Sequence, residues 1–273
     1  MTSGPKRLAE QLSDRDLDVL VTLRTFRLAT GDQVRRLHFA DGSIVTQQRR
    51  TRSTLARLYR RGVVERLPRR IGGVRAGSAG FIYRLTGRGH RTIAHYLSEE
   101  PWRTPGIPGE RFVRHTLAVT EMAVQLTAYA AHTTGVEQST VIPEPTCWRR
   151  YHDRHGTTHI LRPDVAATIT TADFEYHWLI EVDLATEGRS TIKRKCEHHI
   201  AAYEHARRTG NTNVYPRVLW SVPDHQRCRQ IETVIRRLPA PIRPLFTVAT
   251  FTDTPPALCG IDTSSSNTRG GES

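Results

Sequence analysis

The chain has 273 residues, with 40 Lys and Arg against 27 Asp and Glu, a formal net charge of +13 with histidine neutral. Hydrophobic residues make up 37% of it in periodic segments, which is enough for a buried core and excludes a wholly disordered protein. No run of about 18 apolar residues occurs and the start, MTSGPKRLAE, has no apolar stretch of signal-peptide type, so the expectation is a cytoplasmic protein with no membrane span. Cys147, Cys196, Cys228 and Cys259 form no C-x-x-C pair, which excludes a zinc ribbon and a dense disulfide framework.

The charge is unevenly placed. Residues 1–110 hold 21 Lys and Arg against 10 Asp and Glu, whereas residues 111–273 hold 19 against 17. A bias toward arginine explains why 37 of the 40 basic residues are Arg, but it does not explain the asymmetry. A basic module that docks on a polyanion, joined to a nearly neutral module with another task, does.

In chain order, Ser13 followed by Asp16 predicts a helix start, with Leu17, Leu20, Val21 and Leu28 at helical spacing. A second helix is expected from Thr30 to Phe39, with Thr30 as cap, and Asp41-Gly42 ends it. Ser43 to Arg61 reads as a basic amphipathic helix, carrying Gln47, Gln48, Arg49, Arg50, Arg52 and Arg57 around an apolar stripe of Ile44, Leu55 and Leu58. Val63–Leu67 and Phe81–Leu85 read as strands joined by a basic loop with Arg69, Arg70 and Arg75. Three helices and a hairpin are the order of a winged helix-turn-helix. There the third helix enters the major groove, its Gln and Arg side chains reaching bases or phosphates, while the wing follows the backbone. A winged helix used for protein contact is the alternative. One more helix is expected over Thr86–Leu97.

Residues 99–110, EEPWRTPGIPGE, are rich in Pro and Gly and read as a linker. The expected organisation is therefore a DNA-binding domain over 1–98, the linker, an α/β domain over 111–262 and a disordered Ser- and Gly-rich tail over 263–273. In the second domain a helix is expected from Phe112 to Ala131, then strands Gln138–Thr146, His159–Thr170 and Phe174–Asp183. A helix Arg189–Thr209, a strand Val214–Val222, a helix Gln226–Leu238 and a strand Phe246–Phe251 follow. Mixed elements in one segment imply a mixed sheet with helices on its faces, and an α+β chain as a whole.

Arg162-Pro163-Asp164 and Glu181-Val182-Asp183 put three carboxylates at strand positions that could meet, since Glu181 and Asp183 share one strand face. Hard oxygen ligands at that density suit Mg²⁺ or Mn²⁺ acting on a phosphodiester. Lysine occurs only at Lys6, Lys193 and Lys195, and both internal lysines fall in the helix after the carboxylate strand, where an ammonium differs chemically from a guanidinium. This constellation resembles the PD-(D/E)xK nuclease superfamily. The resemblance implies that Asp164 and Glu181 take the places of metal ligands, and that Lys193 or Lys195 substitutes for the motif lysine, whose usual position holds Asp183. If neither lysine reaches the site, the domain is a restriction-endonuclease-like fold that holds DNA without cutting it. Glu121 is a solvated helix residue or a further acidic ligand.

Over roughly residues 13–225 the chain also resembles the replication-relaxation family of actinobacterial plasmids and integrative conjugative elements. The resemblance lies in the Leu17–Leu28 helix, RRTRSTLARLYRRGVVERL, YRLTGRG, His115 in RFVRHTLAV, RPDVAATI and EVDLATEGRSTIKRKCEHHIAAY. It implies a double-stranded-DNA-binding protein of plasmid replication or conjugative transfer, an accessory or regulatory factor alongside a relaxase or other transfer proteins. It leaves open a metal-dependent nickase. Winged-helix proteins often pair across two half-sites, which makes a homodimer a further expectation.

Other features carry less. Cys147, His152, His155 and His159 look like a soft-metal set but fall in an expected hairpin loop, and His198, His199 and His205 are read as a surface helix face. Gly72-Gly73 lacks the context of a phosphate loop.

Overall fold

A computed structural model describes residues 4–67, 81–101, 106, 109–210 and 215–260. The expected wing arginines Arg69, Arg70 and Arg75 and the tail over 263–273 lie outside the described residues. The architecture is mixed α and β, and the chain divides into two compact units, Met1–Val124 and Gln125–Ser273. Among the described residues no helix is long and apolar enough to cross a membrane.

The first unit begins with α1 (Pro5–Glu10) and α2 (Asp14–Phe26). Ser13 caps α2 through a capping box with Asp16, both backbone-to-side-chain bonds measuring 3.3 Å. The short strand β1 (Ala29–Thr30) leads into α3 (Gly31–His38), where Thr30 and Gln33 form a second capping box. These two boxes satisfy amides that helix starts leave unpaired, which is why the boundaries follow the Ser and Thr so closely. α4 (Ile44–Arg60) is capped by Ser43, and Gly62 at φ +68 adopts the left-handed conformation that ends it.

β2 (Val64–Leu67) and β3 (Ile82–Leu85) pair antiparallel, with β1 on the far side of β3. α5 (Gly87–Leu97) follows directly. Its Gly89 is required by packing, because a Cβ there would lie 2.0 Å from the Val63 carbonyl oxygen. Leu20, Leu23, Val34, Leu55, Leu58, Val63, Leu85 and Ile93 form the core of the unit.

α6 (Glu110–His132) contains the division between the units. Its first part is fastened within the first unit by polar links: Thr120 Oγ1 donates to the Leu28 carbonyl at 2.8 Å and Gln33 Nε2 to the Leu117 carbonyl at 3.0 Å. Glu121 is no simple solvated residue, since Arg36 meets it at 2.5 Å and Gln33 at 3.2 Å.

In the second unit, β4 (Val136–Pro143), β7 (Val165–Thr171), β8 (Glu175–Val182), β9 (Arg217–Val222) and β10 (Phe246–Thr250) form one sheet in the order β10-β9-β8-β7-β4. β4, β7 and β8 are antiparallel, and β8, β9 and β10 are parallel. The parallel crossovers are made by α7 (Arg189–Arg208) and α8 (His225–Ile235), which bury Ile192, Cys196 and Ile231 against Val218, Trp220 and Val222. A 3₁₀ turn (Ala240–Leu245) precedes β10, and α9 (Thr254–Leu258) follows it.

The expected strand His159–Thr170 is broken in two. Its first part, β6 (Thr158–Leu161), pairs with β5 (Arg149–His152), a strand absent from the sequence reading, in a separate two-stranded sheet. The break falls at Arg162-Pro163-Asp164, where Pro163 has no N–H for a ladder. Five strands, rather than three, therefore separate α6 from α7.

Candidate functional site

On the first unit, the outward side of α4 is set by helical spacing. Leu55, Leu58, Thr51 and Thr54 face the core, which leaves Val45, Gln48, Arg49, Arg52 and Arg60 exposed along one side. α4 holds five arginines and no acidic residue. Ile44, expected in the buried stripe, is instead 51% exposed. It sits in the first turn, ahead of the part of the helix that packs on the core.

The residues expected to face DNA fall into two groups. Gln47 is occupied within the protein: Nε2 donates to the Ala40 and Gly42 carbonyls at 2.7 and 2.9 Å, while Oε1 accepts from Arg35 at 2.6 Å. Arg57 donates to buried Asp16 at 2.6 Å, and Arg50 pairs with exposed Asp41 at 2.7 Å. The Gln48 and Arg49 side chains, by contrast, have no hydrogen-bond or ion-pair partner among the described residues, and Arg52 donates only from Nε to its own helix at the Gln48 carbonyl. Where α4 meets the hairpin, the Arg66 guanidinium lies between Tyr59 and Phe81, 4.4 and 4.8 Å from their ring centres, fixing the helix against β2 and β3.

In the second unit the antiparallel register sets Val165 opposite Ile180. The residue before β7 and the end of β8 therefore come together, and Asp164 Oδ2 accepts from the Val182 N–H at 2.7 Å. Asp164, Glu181 and Asp183 are all buried. Glu181 sits between two side chains one helical turn apart on α7. Its Oε1 is 2.8 Å from His199 Nε2, and its Oε2 is 3.0 Å from Lys195 Nζ. The same ammonium lies 3.1 Å from Glu187 and 5.7 Å from the Trp220 ring centre.

Burial alone would raise the Glu181 carboxyl, but the His199 hydrogen bond and the Lys195 charge together hold it below the ordinary glutamate value. Burial likewise opposes the Lys195 charge, and the carboxylates of Glu181, Asp164 and Glu187 overcome it, so its pKa is raised.

Asp183 faces elsewhere. Its carboxylate accepts from Arg227 Nε on α8 and, at 3.1 Å, from the Ala185 N–H. Arg227 continues to the Glu187 carbonyl at 2.7 Å and Gln230 at 3.0 Å. Lys193 lies exposed on α7, 3.6 Å from Glu197, so of the two lysines Lys195 is the one at the carboxylates. His199, expected on a surface face, is 1% exposed. The signal for it was its spacing of four from Lys195.

A divalent cation requires several oxygens converging on one point. Here Glu181 is bracketed by His199 and Lys195, and Asp183 is held by Arg227. Among the described residues no group of three or more His, Cys, Asp and Glu side chains could hold a metal ion. As folded, each of the three carboxylates is engaged by protein groups: Asp164 by the Val182 N–H, Glu181 by His199 and Lys195, and Asp183 by Arg227. The soft-metal set is also dispersed: the Cys147 thiol is buried, donates to the Pro163 carbonyl at 3.2 Å and is pushed up to about 12, chiefly by burial, while His159 pairs with Asp153 at 3.0 Å.

The family model described as replication-relaxation matches residues 20–218. No curated protein and no solved structure matches the chain.

Proposed function

As the chain belongs to the replication-relaxation family, we propose that it acts in replication or relaxation of plasmid or conjugative-element DNA as a DNA-binding accessory or regulatory factor. In this reading the first unit is a winged helix-turn-helix, with α2, α3 and α4 followed by the β2–β3 hairpin, and α4 enters the major groove of double-stranded DNA. The carrying observation is the outer side of α4, where Gln48, Arg49 and Arg52 are exposed on a helix with no acidic residue. The second unit, read as nuclease-like, holds DNA or a relaxase or other transfer protein, and a homodimer would match two half-sites.

Anisotropy titrations of a labelled duplex over a salt series test this. Affinity should fall linearly with salt on logarithmic axes, as bound phosphates release counterions. Absent or salt-insensitive binding would favour a winged helix that contacts protein.

A second reading, DNA cleavage, is favoured by Lys195 lying 3.0 Å from Glu181, a carboxylate–lysine pair of the kind expected for a nuclease. Supercoiled plasmid incubated with the protein and either Mg²⁺ or Mn²⁺ decides between them. The accessory reading expects no nicking. Nicking that Asp164→Ala or Glu181→Gln abolishes would establish the enzyme instead.

A further inference from the structure

The first turn of α4 exposes two adjacent β-branched residues, Ile44 at 51% and Val45 at 68%. Single exposed apolar residues need no explanation. Val45 leads the same helix face as Gln48, Arg49 and Arg52, Ile44 stands beside it ahead of the packed stretch, and neither belongs to the core of the unit. The helix is also fixed at this end: Ser43 caps it at 3.3 Å, and Gln47 fastens the preceding turn through Ala40 and Gly42. The two side chains are therefore presented outward on a rigid turn.

Resting on the DNA-binding reading above, we propose that Val45, with Ile44 beside it, reads thymine C5-methyl groups in the major groove. Charge complementarity commits the face to DNA, since Arg49, Arg52 and Arg60 lie exposed along it and α4 holds no acid. In a recognition helix it is the N-terminal residues that meet base edges. Among the four bases of unmodified DNA, thymine alone presents a methyl group on the major-groove edge, and small apolar side chains contact it. Gln48 and Arg49, one turn further on, are placed for the neighbouring polar edges and phosphates, whereas Gln47 is occupied within the protein. The specificity expected is for a site with at least one T·A pair under the first turn of α4.

The test uses the full chain and duplexes it enriches from a random-sequence pool, each resynthesised with deoxyuridine in place of thymidine, so that only methyl groups are lost. Wild-type protein should bind the uracil duplex about fourfold more weakly for each methyl contacted, the worth of one buried methyl group. Val45→Ser should bind the thymine duplex as the wild type binds the uracil one, with its own preference reduced or gone, and Val45→Thr should retain part of it. An unchanged thermal melt would show that Val45→Ser leaves the fold intact. Equal wild-type affinity for the two duplexes, with salt-dependent binding preserved, overturns methyl reading and leaves DNA binding standing. So does a thymine preference that survives in both Val45→Ser and Ile44→Ser. Failure to enrich or bind any duplex overturns both.

Discussion

Glu181 and His199 stand 18 residues apart in the chain and 2.8 Å apart in the fold, both almost fully buried, one ending β8 and the other midway along α7. The bond ties a parallel strand to its crossover helix and holds a carboxylate inside the unit together with Lys195. Buried charges are tolerated when they are paired and hydrogen-bonded, and become costly when one partner is removed.

His199→Ala should therefore destabilise the second unit by about 3 kcal/mol, the scale of breaking a buried pair from one side. His199→Gln, which can still donate from an amide, should lose less. Urea unfolding followed by fluorescence measures the difference, with Trp178 and Trp220 buried in this unit as reporters. Equal losses for both variants would mean that packing, and not the hydrogen bond, carries the effect.

The features legible in the sequence are those set by near neighbours. Ser13 with Asp16 and Thr30 with Gln33 announce themselves within a few residues, and the helices begin where those residues put them. The approach of one of the two internal lysines to Glu181 was also legible, because strand ends and rare lysines leave a local mark, whereas which of Lys193 and Lys195 makes it was not. The pairing of Asp183 with Arg227 was not, since its partner is 44 residues away among many arginines. The strand β5 was missed for a related reason: Arg149, Arg150, Tyr151 and His152 bury only the tyrosine, so little apolar alternation marks it. Ile44 was misread because composition cannot say which turn of an amphipathic helix lies beyond its packed stretch.

The two units should respond differently to acid. In the first, burial holds His38 and His90 below the ordinary histidine value of 6.5. For His38, Asp18 partly opposes that shift, and for His90, Arg24 and Arg84 add to it. A histidine with a depressed folded pKa contributes stability above 6.5 that is lost as pH falls toward the folded value. In the second unit, the depressed Glu181 contributes stability above the ordinary value of 4.5 that is lost only as pH falls through its own lower value. Hydrogen exchange resolved by peptide, measured on the full chain from pH 7 to pH 4, should show protection weakening first in α2, α3 and α5. Loss in α7 and β8 before that would contradict the assignment.

Gly89 offers a purely steric check on the first unit. Its added Cβ would meet the Val63 backbone oxygen at 2.0 Å, and backbone cannot swing aside as a side chain can. Gly89→Ala should cost about 3 kcal/mol, in the range of severe overpacking. Gly188→Ala, where nothing lies within 4 Å, should be close to neutral. Thermal unfolding of the two variants beside the wild type is sufficient, and a harmless Gly89→Ala would show that α5 sits further from Val63 than described.

The arginines of α4 should separate by what they touch. Arg49 has no partner among the described residues, so Arg49→Ala should leave stability within about 0.5 kcal/mol of wild type. Its effect should be to weaken binding to all duplexes, lowering the salt slope by about one if it contacts a phosphate. Arg57→Ala should do the reverse. It removes the cation from Asp16, whose buried carboxylate shares the α2 capping box with Ser13, and an unpaired buried charge costs about 3 kcal/mol. Once folding is allowed for, its effect on DNA affinity should be small. Urea unfolding and salt-dependent anisotropy on both variants give the four numbers needed. If Arg57→Ala lost affinity without losing stability, the Asp16 pair would be a minor alternative to a phosphate contact, and the outer face of α4 would be rotated from the one described.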